Sequence, residues 1–343
     1  MRKYNLALIG FGNVGRRFVK LLQEKDAELR ERHGIEWRLT GLASRRLGWM
    51  ADPSASLGAG AAGLDAEALL AGRFPAATPF DRSDVRAWLG ATRADVMFEA
   101  SSLNWRTGQP ATDYLKAALT HGAHAISANK GPIVHAYAEL CELARAQGRK
   151  FLFESTVMDG TPIFSLFRHG LPAVELRGFR GLLNSTSNVV LTQMENGLSF
   201  DEAVKEAQRI GVAETDPSDD LDAWDPAVKV AALANVLMGV PLKLEEIERV
   251  GVRTLSPEAV RAVRAAGQPY KLICRAERKG GRVVASVRPE QLPASDPLAS
   301  MVGTTSCLHF DTDVFGLTVI EHKPGVVATA YGLLADFIRA VEE

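Results

Sequence analysis

The sequence predicts an α/β chain in two parts, an open and mostly parallel sheet with its helices followed by an α+β part built on a mixed sheet. Three observations predict it. The apolar run Tyr4 to Ile9 opens directly into a glycine-rich turn and a helix. Strand and helix patterns then alternate as far as Glu154. Beyond that point the alternation stops, and a run of strands follows a group of helices.

The elements follow in chain order. Tyr4 to Ile9 is mostly apolar, as a buried parallel strand is. It leads into Gly10-Phe11-Gly12-Asn13-Val14-Gly15 and a helix over Arg16 to Arg32. A glycine turn between a first strand and a helix lets the backbone approach a pyrophosphate, which then rests on the helix's first N–H groups. The motif in this context predicts a dinucleotide site and a Rossmann-type first domain. The second strand, Trp37 to Ala43, ends without the acidic residue that would hold a free ribose 2′-hydroxyl. Ser44, Arg45 and Arg46 stand there instead, donors suited to a 2′-phosphate, so NADP is expected ahead of NAD; solvated loop charges are the alternative.

Residues 50–79, rich in alanine, glycine and proline, read as a surface excursion. A helix is predicted over Asp81 to Leu89 and a buried strand over Ala94 to Ala100, which delivers Ser101 and Ser102 to the ligand-binding edge. After a helix over Thr112 to His121, the strand Ala123 to Ser127 brings Ala128-Asn129-Lys130-Gly131 to the same edge. Lys130 there is either a surface lysine or a cation beside the nicotinamide. Tyr137 to Gln147 reads as a helix and Lys150 to Glu154 as a short strand. The turn STVMDGTP then follows, one that could wrap a hard cation or be a plain tight turn.

In the second part, Val174 to Leu183 is a predicted strand, a helix starts at Val189, and Ser199 with Glu202 forms a capping box for a helix to Arg209. Next come six carboxylates in twelve residues: Glu214, Asp216, Asp219, Asp220, Asp222 and Asp225. Asp225 with Pro226 reads as the start of a helix that stops at Gly239, apolar all round apart from Lys229. A buried ammonium needs a partner, and Asp225, four residues earlier, lies beside it on a helix. Two readings are open: a structural ion pair under a solvated acidic loop, or a pocket where carboxylates hold a substrate ammonium and Lys229 meets a reacting oxygen. Further strands are predicted over Tyr270 to Glu277, Arg282 to Arg288, Ser306 to Asp311 and Gly316 to Glu321, a sheet that could also join two copies. A last helix runs over Val326 to Val341.

Forty basic against 41 acidic side chains leave a net charge of -1, so no broad field draws the chain to nucleic acid or a membrane. No apolar run approaches the roughly 20 residues that span a bilayer. Cys141, Cys274 and Cys307 are widely spaced and lack metal-ligand spacing, which fits reduced core thiols and a cytoplasmic location.

Over almost its whole length the chain resembles homoserine dehydrogenase. The resemblance is carried by GFGNVG at Gly10, SANKG at Ser127, FESTV at Phe153, GLLNSTSNVVLTQM at Gly181, SFDEAVKEAQRIGVAETDPSDDLDAWD with Lys229, and PG…TA around Gly325. It implies an NAD(P)-dependent interconversion of L-homoserine and L-aspartate 4-semialdehyde by a likeness of the monofunctional form, without an aspartate kinase or regulatory domain, and a homodimer. It also implies three segments: an NAD(P)-binding domain over 1–148, a substrate-binding and dimerisation domain over 149–321, and a C-terminal helix, 322–343, returning to the first. By the resemblance Lys130 and Lys229 are catalytic and also contact substrate, Asp225 orients Lys229, and Glu214 and Asp220 bind substrate. The cofactor would touch the glycine turn, Ser44 to Arg46, Ser101, Ser102, Ser127, Lys130 and Gly325. Glu154, Val157, Asp159 and Thr161 fall where family members can bind a structural sodium ion. The alternatives are a dehydrogenase of another small amino or hydroxy acid and a catalytically silent NADP-binding sensor.

Overall fold

A mostly apolar run at the chain's start produces β1 (Arg2–Ile9), whose last four side chains are all buried, as in a strand covered on both faces. In the computed structural model, which describes residues 1–55, 63–75, 80 and 84–342, β1 lies near the middle of a six-stranded sheet. The others are β2 (Ile35–Ser44), β3 (Gly48–Ala51), β4 (Val96–Glu99), β5 (His124–Ser127) and β6 (Phe151–Leu152). Their spatial order is β3-β2-β1-β4-β5-β6. All neighbouring pairs are parallel except β2 with β3, a hairpin that sequence patterning does not reveal. The order turns back on itself between β1 and β4, where open sheets of this kind bind ligands.

Helices cover this sheet. The single helix expected over Arg16 to Arg32 is two, Asn13–Glu24 and Asp26–His33, because the backbone departs from helical angles at Lys25. The helix expected from Asp81 is Val85–Thr92, capped by the Asp84 side chain; residues 81–83 lie outside the described residues, as do 56–62 and 76–79 of the excursion. The last helix, Val326–Val341, buries Leu333, Leu334 and Phe337. The Phe337 ring meets Tyr4 and Phe98 edge-on at 6.0 and 5.9 Å. Apolar rings at these separations explain why this helix belongs with the parallel sheet.

The chain forms two compact units, Met1–Ile163 with Gly325–Glu343, and Phe164–Pro324. The second is built on a mixed sheet of β7 (Leu176–Leu182), β8 (Ile247–Arg249), β9 (Tyr270–Lys279), β10 (Arg282–Gln291), β11 (Ser306–Thr312) and β12 (Gly316–Glu321). Its order is β12-β11-β7-β9-β10-β8, antiparallel except between β10 and β8. Its main helices are Ser185–Glu195, Phe200–Arg209, Trp224–Leu237 and Pro257–Ala265. Among the described residues no helix is long and apolar enough to cross a membrane.

One half-buried histidine makes the first unit sensitive to acid. The Lys150 N–H donates to Nδ1 of His124 across 3.0 Å, a bond that requires that nitrogen unprotonated. Burial, followed by Arg149, Lys150 and Arg2, pushes the His124 pKa down from 6.5 to about 4. Between those values the folded chain holds fewer protons than the unfolded one, so stability is lost as pH falls through the window. Wild-type melting temperature should therefore drop more steeply from pH 6.5 to 4 than that of His124→Asn, which keeps an acceptor without titrating. Parallel curves would refute this role.

Candidate active site

The glycine turn shows three different uses of a missing side chain. Gly10 has φ +100, and a Cβ there would lie 2.3 Å from the Ala100 carbonyl oxygen. A Cβ on Gly15 would lie 2.1 Å from the Gly10 oxygen, so the helix Asn13–Glu24 can pack closely under the turn. Gly12 faces open space, and as the helix's N-cap it contributes no side-chain cap. Tight turn, open approach and close helix packing are what a pyrophosphate on a helix N-terminus needs. Phe11 is buried with Arg16 stacked 4.7 Å from its ring centre, Asn13 and Val14 begin the helix, and so the whole Gly10–Gly15 run sits at the carboxyl end of β1.

Around it the loops after β2, β4 and β5 converge. Ser44 ends β2, and its hydroxyl accepts the Leu47 N–H at 3.1 Å to close the β2–β3 turn. Arg45, in that turn, donates to the Ser102 hydroxyl at 3.1 Å, while Arg46 is exposed. Ser101 and Ser127 both donate to Glu99, a fully buried carboxylate that sequence reading passes over because it closes an apolar run. Lys130 is half-buried at the start of the helix Lys130–His135, whose cap is Asn129.

In the turn after β6, the Glu154 carboxylate lies 3.3 Å from Arg339, and its N–H donates to Asp336 at 2.7 Å. Asp159 accepts from the Gly325 N–H and from the Thr329 hydroxyl, the latter at 3.1 Å. A Cβ on Gly160 would lie 2.2 Å from the Ala328 oxygen, so small residues let this turn nest on the last helix. The Thr161 oxygen accepts the Ile163 N–H at 2.8 Å, and Val157 is buried. Both carboxylates thus have protein partners, and a cation here would rely on main-chain carbonyls, the hard oxygen donors suited to sodium. Among the described residues no three His, Cys, Asp or Glu side chains are grouped to hold a metal.

The second unit collects a different set. The helix Trp224–Leu237 begins one residue before Asp225, after Ala223 at φ 64, so Asp225 does not cap it. The Asp225 carboxylate instead reaches Lys229 Nζ at 3.0 Å, the i,i+4 neighbour. Lys229 Nζ also donates to the Leu183 carbonyl at 2.6 Å, and both side chains of the pair are less than a fifth exposed. Asn184 follows, caps the helix Ser185–Glu195 by accepting the Ser187 N–H at 2.8 Å, and starts that helix four residues before the expected Val189. Its Nδ2 donates to Asp220 at 2.6 Å and lies 3.5 Å from Asp225. Asn184 therefore ties two carboxylates together beside one ammonium, a role that only the packing of β7's end against the acidic segment exposes.

Of the six acids, Asp220 and Asp225 converge on Asn184. Asp222 pairs with Arg253 at 2.9 Å, Asp216 accepts from Ser218 at 2.6 Å, and Glu214 is exposed, its backbone oxygen held by Gln208 at 3.1 Å. Burial, and then the neighbouring Asp225 charge, push the Asp220 carboxyl above its ordinary range, with Asn184 and Lys229 opposing. Cys274 and Cys307 are raised by burial to about 12 and about 11, which leaves them thiols rather than nucleophilic thiolates at neutral pH.

Because the folded pKa of Asp220 is raised, the folded chain binds more protons than the unfolded one just above 3.8, and stability falls as pH rises through that window. Asp220→Asn should stabilise the protein at pH 7 by on the order of 1 kcal/mol, with a smaller gain at pH 4.5. Denaturant titrations at both pH values check it; equal gains, or a loss at pH 7, would show the carboxylate is not strained by its neighbours.

Two family models match most of the chain. A family model described as "Homoserine dehydrogenase, NAD binding domain" matches residues 10–154, and one described as "Homoserine dehydrogenase" matches residues 162–338. The chain is 36% identical over 341 residues to an NAD(+)-dependent homoserine dehydrogenase of Pseudomonas canavaninivorans, covering 99% of this chain and 96% of that one. A homoserine dehydrogenase structure from Thiobacillus denitrificans superposes with a TM-score of 0.83 at 27% identity, over 99% of this chain and 73% of that one. A hyperthermophilic archaeal homoserine dehydrogenase mutant in complex with NADPH gives 0.78 at 26% identity, over 99% and 98% of the two chains.

Proposed function

This chain belongs to the homoserine dehydrogenase family, and we propose that it interconverts L-homoserine and L-aspartate 4-semialdehyde with Lys229 carrying the proton. The observation that carries the assignment is the charge count at the second unit's site. Asp220 and Asp225 stand beside a single ammonium, Lys229, leaving one negative charge in excess among these three groups. A substrate ammonium supplies the missing positive charge and relieves the repulsion between the two acids. Asp220 binds that ammonium, and Glu214, from the same acidic segment, adds a second carboxylate at the exposed side.

A bound nicotinamide would supply the acceptor for the hydride that leaves the substrate's C4, and the donor in the reverse direction. As the C4 hydroxyl becomes an aldehyde, its proton passes to Nζ of Lys229 in its neutral amine form, which becomes the ammonium; in the reverse direction the Lys229 ammonium gives that proton to the aldehyde oxygen. Asp225 and the Leu183 carbonyl hold Nζ in place, and Asp225 stabilises the ammonium form. The family resemblance makes Lys130 the second catalytic cation and a substrate contact. Lys229→Ala should lower turnover on the order of a hundredfold or more while cofactor affinity, followed by fluorescence, stays within a few-fold. Near-normal turnover would remove Lys229 from the mechanism.

The cofactor is held by the Gly10–Gly15 turn, by Ser44, Arg45 and Arg46, and by Ser101, Ser102, Ser127, Lys130 and Gly325. The two arginines after β2, with no acid at the strand's end, favour NADP over NAD. Arg45→Ala should raise KM for NADP roughly tenfold with little change for NAD. Equal changes for both cofactors, or none, would assign Arg45 to the Ser102 contact alone. A sodium ion, if held, is caged by main-chain oxygens of Glu154, Val157, Asp159 and Thr161 and steadies the turn under the last helix. The enzyme works as a cytoplasmic homodimer, in keeping with three free cysteines and with the exposed apolar Val314, Phe315 and Ile320 along the β11–β12 hairpin.

A further inference from the structure

Arg16 directly follows the glycine turn, at the end of the first turn of the helix Asn13–Glu24. Long side chains on a helix lean back toward its N-terminus. The Arg16 guanidinium accordingly lies 4.7 Å from the centre of the Phe11 ring, a residue of the glycine turn itself, and 5.9 Å from that of Phe74. These two rings meet edge-on at 6.3 Å and make a corner in which the guanidinium rests. Arg16 is half-buried, and among the described residues its side chain has no hydrogen bond or ion pair. Its neighbour Arg17 differs, being paired with Glu24 at 2.8 Å.

Folding alone gives little reason to hold a free cation here. The N-terminal end of a helix carries partial positive charge and disfavours a second one. No acidic side chain stands in this helix's first turn, and Gly12 as N-cap supplies no side-chain acceptor and faces open space. The free N–H groups of the helix and the guanidinium therefore stand together at the carboxyl end of β1 with no anion of the first turn between them. A ring contact engages the face of a guanidinium and leaves its N–H donors for a ligand, and their planar fork matches two oxygens of a phosphate. We propose that Arg16 binds a phosphate of the dinucleotide, as a cation that Phe11 and Phe74 hold ready beside the glycine turn. The proposal rests on the nucleotide site described above and adds to it a residue outside the glycine motif. Any nicotinamide dinucleotide offers Arg16 its pyrophosphate, and NADP offers a 2′-phosphate as well.

The test is separate titration of NAD and NADP onto wild-type protein, Arg16→Gln and Arg16→Lys, by intrinsic fluorescence or calorimetry, each at low and at high salt. Arg16→Gln should weaken binding roughly tenfold at low salt and flatten its dependence on salt, because a charged contact is lost. Arg16→Lys keeps the charge without the fork and should fall between the two; should Arg16→Gln fail to fold, it carries the comparison. Equal losses for NAD and NADP assign the pyrophosphate, and a loss for NADP alone assigns the 2′-phosphate; both support the proposal. Unchanged affinity for both cofactors would overturn it. So would a loss that keeps the wild-type salt dependence, the mark of a side chain that only packs on Phe11. Wild-type protein that binds neither NAD nor NADP would overturn the nucleotide reading itself, whereas wild-type binding matched by Arg16→Gln would overturn the role of Arg16 alone.

Discussion

The second unit depends on keeping one ammonium out of water. Lys229 sits on a helix whose remaining interior positions, from Pro226 to Asn235, are buried, so its charge must be answered within the protein. Asp225, one helical turn earlier, answers it at 3.0 Å, and the Leu183 carbonyl at 2.6 Å. Replacing such a pair by apolar residues is commonly neutral or stabilising, so the pair's presence is poorly explained by stability alone. Asn184 brings a second carboxylate, Asp220, to the same spot, at a cost in stability where that carboxyl is ionised. Two carboxylates thus stand beside one ammonium, and burial with the Asp225 charge pushes the Asp220 carboxyl above its ordinary range.

The first unit follows the same logic at its own edge. Gly10 and Gly15 remove side chains where the backbone of β1, the Ala100 segment and a helix crowd together, and Gly12 leaves the approach open. Glu99 lies behind this edge, with the loops that carry Ser101 and Asn129 hung from its two oxygens. The last helix of the chain completes the unit. Phe337 joins the core beside Tyr4 and Phe98, while Asp336 and Thr329 hold the turn that begins at Glu154.

What the sequence made legible was local chemistry. The glycine spacing, the i,i+4 relation of Asp225 to Lys229 and the Ser199–Glu202 capping box each lie within a few residues, and each stands in the structure. What stayed hidden depends on contacts between distant segments. Six carboxylates near one lysine look alike in a row, yet Arg253 and Ser218 claim two of them and only Asp220 and Asp225 reach Asn184. Glu99 reads as the end of an apolar strand, because its donors lie on the next loop and on β5, 28 residues away at Ser127. The short β3 and β8 escaped notice for the same reason: four and three residues carry no periodicity, and pairing with β2 and β10 defines them. Asp225 was legible as a helix start but not as a first-turn residue, since a left-handed Ala223 rather than a side chain turns the chain into the helix.

The central claim is that Asp225 stabilises the ammonium of a lysine that gains and loses a proton during turnover. The most direct measurement is the pH dependence of kcat/KM for L-homoserine oxidation by wild-type protein and by Asp225→Asn. Removing the aspartate's charge makes the ammonium easier to deprotonate, so the titration through which the enzyme becomes active should move to lower pH in the variant, with cofactor affinity kept. A titration that stays in place, or moves to higher pH, would contradict the account.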